Sequence, residues 1–186
     1  MISQPCGPVP LPVNLNPTSG ILAGCKNGQV WLRVDGKGSH QNSRELKAFV
    51  QDQIEHLRGQ RVIVDLSLCT GMDSTFMGTL TGISCRLSNE GGLLHVIHAA
   101  GRNADLLRGL GLDEVFTVDD QEEHLPAVAA PECAALPKAE CTRSERARIC
   151  LESHEALAAA DQRNAVKFHD VIELMRGECR PPALAH

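Results

Sequence analysis

The sequence predicts an α/β fold in which helices pack on a mixed β-sheet, followed by a C-terminal α-helical hairpin. Three observations predict it. "RVIVDLS", from Arg61, is β-branched and apolar almost throughout, as a strand covered on both faces is. "QVWLRV" alternates at period two, with Val30, Leu32 and Val34 on one face and Gln29, Trp31 and Arg33 on the other. Between such segments apolar residues recur at helical spacing, which gives the order β-β-α-β-α-β-α-β and implies a sheet layer with helices against it.

The elements follow in order. Residues 1–19 carry prolines at 5, 8, 10, 12 and 17 and read as a disordered or extended arm. From Ile21 two strands turn at Lys26-Asn27-Gly28, an Asn-Gly hairpin signal. A helix then begins with Ser43 as its expected cap. It carries Leu46, Phe49, Val50, Ile54 and Leu57 on one face and stops at Gly59. After the 61–67 strand a second helix starts near Ser74, turns Met77, Leu80, Ile83 or Ser84, and Leu87 inward, and ends at Gly91-Gly92. "LLHVIHA" is the next strand, Asn103 is expected to cap a short helix bearing Leu106, Leu107 and Leu110, and "VFTVDD" is a last strand.

Beyond Asp119 the composition turns acidic and then rich in Ala and Pro, so 121–139 reads as a linker. Thr142 with Glu145 forms a capping-box pattern ahead of a stripe of Ala147, Cys150, Leu151, His154 and Leu157. "DQRN" interrupts, and Ala165, Phe168, Ile172 and Met175 make a second stripe up to Gly177. The expected organisation is an arm (1–19), a sheet domain (20–120), a linker (121–139), a helical hairpin (140–178) and a tail (179–186). Two helices of this size seldom bury enough surface alone, so the hairpin must dock on its own domain, on a second copy to give a homo-oligomer, or on a partner. Deletion from about residue 140 is expected to leave the sheet domain folded.

Composition narrows the function. A net charge of -5 lacks the basic stripe of a phosphate-backbone binder, and 3% aromatic residues supply no stacking platform, so no nucleic-acid partner is expected. There is no basic n-region and no run of the roughly eighteen apolar residues that a membrane span needs, so the expected address is the cytoplasm. The cysteines at 6, 25, 69, 85, 133, 141, 150 and 179 form no Cys-x-x-Cys pair and are expected as reduced thiols. His95 and His98, three apart in an apparent strand, would point to opposite faces. No metal or other cofactor is expected.

The informative stretch is "DLSLCTGMDSTFMGTL", where a buried strand gives way to a helix through Met72-Asp73-Ser74-Thr75. An Asp or Ser there can simply cap the helix. Equally, a hydroxyl at a helix N-terminus on the carboxyl edge of a sheet is exposed where backbone donors and the macrodipole favour an anion such as phosphate. Gly78 and Gly82, four apart, let another surface come close.

These residues resemble the signature of STAS domains, and specifically of bacterial anti-sigma-factor antagonists: Met-Asp-Ser-Thr followed by Gly78, within a likeness that spans roughly Ile21 to Asp119. The resemblance implies a STAS-like fold and a phosphoacceptor at Ser74, with Thr75 as the alternative hydroxyl. It implies partner contacts at Asp73, Thr75, Phe76 and Gly78. It further implies a partner switch that binds an anti-sigma serine/threonine kinase when unphosphorylated, is released on phosphorylation, and is reset by a serine phosphatase. A phosphoserine adds about -1.5 to -2 charges, which beside Asp73 in an interface opposes docking. Phe76 stands where a glycine is frequent in the family, which bears on which kinase fits.

Two rivals remain. An enzyme would need a nucleophile with its base, and Cys69, Ser74 and a histidine are the available residues. However, Gly-x-Ser-x-Gly, a P-loop and Gly-x-Gly-x-x-Gly are absent, so no catalytic residue is assigned. The other rival is a STAS interaction or scaffold module that never carries phosphate, in which Asp73-Ser74 only caps the helix.

Overall fold

The computed structural model describes residues 20–26, 28–56, 61–120, 133–138 and 140–179. The Pro-rich arm, Leu57 and the helix stop at Gly59, most of the linker and residues 180–186 lie outside the described residues.

β1 (Gly20–Lys26) and β2 (Gln29–Gly38) form the expected antiparallel hairpin, with Lys26 opposite Gln29. That pairing leaves a two-residue turn, and Gly28 takes φ +74°, the left-handed conformation that such a turn requires. α1 (Ser43–His56) leads to the central strand β3 (Arg61–Asp65). Then come β4 (Cys69–Met72), α2 (Ser74–Asn89), β5 (Leu93–Ile97), α3 (Arg102–Arg108), a 3₁₀ turn at Leu112–Glu114 and β6 (Thr117–Val118). With β7 (Ala134–Ala135) at one edge, the sheet among the described residues runs β6-β5-β3-β2-β1-β7, with β4 paired to the far end of β2. β2, β3, β5 and β6 are parallel, while β1 is antiparallel to β2 and to β7.

The period-two pattern of β2 sorts the faces as expected. Val30, Leu32 and Val34 join Val62, Val64, Leu94 and Val96 in the main core under α1, α2 and α3. Trp31, Ile63 and Ile97 form a smaller cluster on the other face, with Cys133 against it.

Several local expectations need correction. Ser43 lies inside α1, and its buried hydroxyl donates back to the Ser39 carbonyl (2.9 Å). Asn103 is not the cap of α3, because Gly101 holds that position; its amide donates to the Cys69 carbonyl (2.8 Å) and ties α3 to β4. The strand expected through Ala99 ends at Ile97, and His98 sits beyond it at φ +55°. Part of the expected linker is sheet, since Ala134–Ala135 pairs with Ala23 and Leu22 and buries Leu136. An edge strand this short tolerates flanking prolines, so the composition hides it.

α4 (Arg143–Ala160) and α5 (Gln162–Cys179) form the hairpin, and the Thr142–Glu145 capping box is present. The hairpin lies on its own domain, as a layer outside α2. Leu157, Phe168 and Ile172 belong to the main core, so the expected boundary between sheet domain and hairpin crosses a shared apolar cluster.

Candidate functional site: the start of α2

β4 runs parallel to the last residues of β2, pairing Gly71 with Lys37 and Met72 with Gly38. This delivers the chain to the carboxyl edge of the sheet, where α2 begins. Asp73 is the N-cap, in extended conformation, and its Oδ1 accepts from the Phe76 N–H (2.9 Å). Its Oδ2 accepts from the His40 N–H (3.0 Å), and the Asp73 N–H donates to the Gly38 carbonyl (3.0 Å). The carboxylate thus joins the β2–α1 loop to the helix start, and both oxygens serve structure.

The Ser74 side chain takes no part in that cap. It is half-buried, and its Oγ lies 3.0 Å from Nε2 of His154 on α4. The ring's other nitrogen, Nδ1, is 2.8 Å from the Cys150 carbonyl oxygen. A carbonyl only accepts, so Nδ1 carries the hydrogen, and Nε2 of the neutral ring accepts the hydrogen bond that Ser74 donates. His154 is itself 3% exposed, with the Phe168 ring edge-on at 5.0 Å.

The neighbouring residues face the same helix. The Thr75 hydroxyl is buried and points at the Cys150 sulfur (3.8 Å). Burial pushes the Cys150 thiol up from its ordinary pKa, with the Thr75 hydroxyl pulling the other way. Thr79 Oγ1 and Ser153 Oγ lie 3.0 Å apart, and a Cβ at Gly78 would run into the Ser153 backbone carbonyl. An ion pair between Lys47 and Glu152 and another between Arg44 and Glu145 (3.3 Å) fasten α4 to α1 alongside. Phe76 has no exposed surface at all: its ring sits in the core, where a Cβ on Gly38 would approach it to 2.7 Å. It shapes the helix start from beneath and presents no side chain to a partner.

Asp73, Ser74, Thr75 and Gly78 therefore lie together beside α4, with the Ser74 hydroxyl half-buried against His154 instead of exposed as expected, whereas Phe76 turns away from them. His154, Cys150 and Ser153 complete the site. His154 and Cys150 lay on the inward stripe of the expected helix, but spacing alone does not say which surface a stripe meets. Cys69, the other thiol considered as a nucleophile, donates to the Gly71 carbonyl (3.4 Å) and is raised in pKa by burial. Among the described residues no group of three or more His, Cys, Asp or Glu side chains is placed to hold a metal, and no helix is long and apolar enough to cross a membrane.

A second polar cluster lies on the opposite face of the sheet. Asp65, 3% exposed, accepts from Arg33 Nε (2.8 Å), His98 Nδ1 (2.8 Å) and the Ser67 N–H (2.9 Å). Burial alone would push its carboxyl up, but the hydrogen bonds from Ser67, His98 and Arg33 outweigh it and hold the pKa below the ordinary value.

Comparison with known proteins places the chain. The profile of the family described as Mlab, STAS domain, matches residues 25–119, just over half of the sequence. The chain belongs to the STAS domain family. Among solved structures, a candidate anti-sigma factor antagonist from Thermotoga maritima is 19% identical, with a TM-score of 0.49 over 54% of this chain and 86% of its own. The unphosphorylated anti-sigma factor antagonist SpoIIAA is 17% identical, with a TM-score of 0.46 over 55% of this chain and 88% of its own. A sulfate transporter family protein from Wolinella succinogenes is 14% identical, with a TM-score of 0.43 over 53% of this chain and 81% of its own. No curated protein matches the sequence. The matched regions stop short of the hairpin in the family profile, so α4 and α5 are an addition to the domain.

Proposed function

We propose that the protein is a phosphorylation-regulated partner switch of the anti-sigma-factor antagonist type, acting in cytoplasmic signalling that controls transcription. Unphosphorylated, it binds an anti-sigma serine/threonine kinase. Phosphorylation of Ser74 releases it, and a serine phosphatase restores binding. The protein is a substrate and binder in this cycle, with no chemistry of its own.

The observation that carries the reading is the division of labour between Asp73 and Ser74. Asp73 satisfies the helix N-terminus with one carboxylate oxygen and the β2–α1 loop with the other, which leaves the Ser74 hydroxyl outside the capping network. Between the two candidate hydroxyls, Ser74 is favoured because Thr75 is 6% exposed and turned toward Cys150. A phosphate at Ser74 would sit at a helix N-terminus, which favours an anion, but beside Asp73, which repels it in a desolvated interface.

The test is affinity capture from the source cells with the full chain and its Ser74→Ala and Ser74→Asp variants, together with phosphopeptide mapping of the native protein. Ser74→Ala should retain a kinase that Ser74→Asp loses, and the native protein should carry phosphate at Ser74. Equal capture by both variants sinks the switch. A second reading, a STAS scaffold module that never carries phosphate, draws support from the cover that α4 lays over Ser74. Native protein without phosphate at Ser74 or Thr75 in every growth state would favour it.

A further inference from the structure

The hairpin is attached in two chemically different ways. At the turn and along α5 the attachment is buried and largely apolar: Leu157, Phe168 and Ile172 enter the main core, Phe168 against the His154 ring at 5.0 Å, and the Asn164 amide donates to the Leu110 carbonyl (2.9 Å). Along Ser74 to Thr79 the contacts are small and polar instead. They are the Ser74–His154 hydrogen bond, the Thr75–Cys150 contact, the Thr79–Ser153 pair and the bare Cα of Gly78 against the Ser153 carbonyl. Polar pairs of this kind contribute little net free energy, because water replaces them on opening. The ion pairs of Lys47 with Glu152 and Arg44 with Glu145 are partly exposed and add little, so the seam between α4 and the start of α2 is the weakest part of the attachment.

The one hydrogen bond that joins α4 to Ser74 depends on the hydroxyl hydrogen. With Nδ1–H committed to the Cys150 carbonyl, the neutral His154 ring offers Ser74 only a lone pair. When a kinase-held nucleoside triphosphate supplies the phosphoryl group, an Oγ–P bond forms and the bond between the γ-phosphorus and its bridging oxygen breaks. The nucleoside diphosphate leaves and the hydroxyl proton passes to solvent. Acceptor oxygens then face an acceptor nitrogen, in a gap that measures 3.0 Å from Oγ to Nε2 and has no room for a phosphate.

We propose that α4 is a built-in lid over Ser74, which the phosphorylation of Ser74 displaces from the start of α2. In the closed form the face of α2 from Ser74 to Thr79 is occupied by the chain's own α4. A kinase reaches Ser74 from the fraction of molecules with the lid raised, and the phosphate holds it raised. The regulation rests on Ser74 being the phosphoacceptor, while the closed lid stands on the geometry alone.

Cys150 reports the state of the lid, because its half-buried sulfur lies against Thr75. The experiment uses the full chain with phosphoserine installed at position 74 during translation, and follows iodoacetamide alkylation of each cysteine by peptide mass spectrometry. Cys150 should react about tenfold faster than in the unmodified chain, while Cys69, within the sheet domain, keeps its rate. Gly78→Ala should open the lid without any charge and speed Cys150 likewise, whereas Gly82→Ala, whose Cβ has only an ordinary contact at 3.9 Å, should not.

An unchanged Cys150 rate in the phosphoserine chain overturns the release, even if cells are found to phosphorylate Ser74. A slower rate also overturns it, since His154 would then be clamping the phosphate as an imidazolium. Parallel acceleration of Cys69 would mean general unfolding and equally overturn it. Absence of phosphate from Ser74 in cells, by contrast, sinks the phosphoacceptor reading and leaves the result with installed phosphoserine standing.

Discussion

The backbone carbonyl of Ser153 occupies the space that a side chain at Gly78 would need. α2 and α4 therefore approach to backbone contact at this point, and only glycine permits it. Gly82, one turn later, has no such restriction, since its added Cβ would meet Ala156 Cβ at 3.9 Å. The two helix glycines should respond oppositely to alanine. Gly82→Ala gains helix propensity and should stabilise the protein by up to about 1 kcal/mol. Gly78→Ala has the same gain but forces α4 outward, a strain of ~1–3 kcal/mol for overpacking, and should come out destabilised. Urea unfolding of the two variants decides it, and equal midpoints would mean that the α2–α4 contact does not hold the helices together.

Asp73 and Ser74 should separate just as clearly. Asp73→Ala removes the acceptor for the Phe76 N–H and the bridge to the His40 N–H, and the loss of an N-cap costs ~1–2 kcal/mol. Ser74→Ala removes one hydrogen bond to His154, with a net effect of about 1 kcal/mol or less. Chemical denaturation should rank Asp73→Ala as the more damaging change. The reverse order would make the Ser74 hydroxyl the structural group and would weaken its assignment as an acceptor.

What could be read in the sequence was whatever its signal is local. The β1–β2 hairpin, the alternation of β2, the inward face of α2 and the Thr142–Glu145 capping box each depend on residues a few positions apart, and each appears in the structure. β4 and β7 have four and two residues and no periodicity to betray them; each exists because a long neighbour, β2 or β1, offers unpaired backbone groups. Asn103 was equally qualified on sequence to cap a helix or to bond elsewhere, and the proximity of the Cys69 carbonyl settled it. The site divides the same way. Met72 to Gly78 marked the start of α2, but Phe76 belongs to the core because the glycine at position 38 leaves a space for its ring. His154 reaches Ser74 from eighty residues away, a distance over which one sequence carries no register.

Asp65 provides a pH signature. Its carboxyl pKa is depressed in the folded protein by hydrogen bonds from Ser67, His98 and Arg33, which overcome the opposing effect of burial. A carboxyl with a depressed folded pKa binds protons less readily in the folded state than in the unfolded chain, where its pKa is about 3.9. Its contribution is therefore present above about pH 4 and is lost as the pH falls through the folded value. Asp65→Asn should lower stability at pH 6, because Arg33 loses its buried partner. The gap between wild type and variant should narrow as the pH falls from 5 toward 2. A gap that is constant over that range would mean that Asp65 titrates alike in both states.

Removal of the hairpin tests whether the core is shared. Leu157 has no exposed surface, and Phe168 and Ile172 are 8% and 7% exposed within the same cluster as Leu80 and Val64. Burial of one such side chain contributes ~1.5–3 kcal/mol, so a chain ending before residue 140 forfeits on the order of 5 kcal/mol. That approaches the whole stability of many domains, about 5–15 kcal/mol. It also exposes Thr75, Gly78 and Thr79 to water, which small and hydroxyl-bearing residues tolerate. The shortened protein should consequently unfold at a much lower urea concentration than the full chain while keeping the helix and strand signal of the sheet domain by circular dichroism in dilute buffer. Equal urea midpoints would show that the sheet domain is energetically complete without α4 and α5, with the hairpin resting on it as a separable cover.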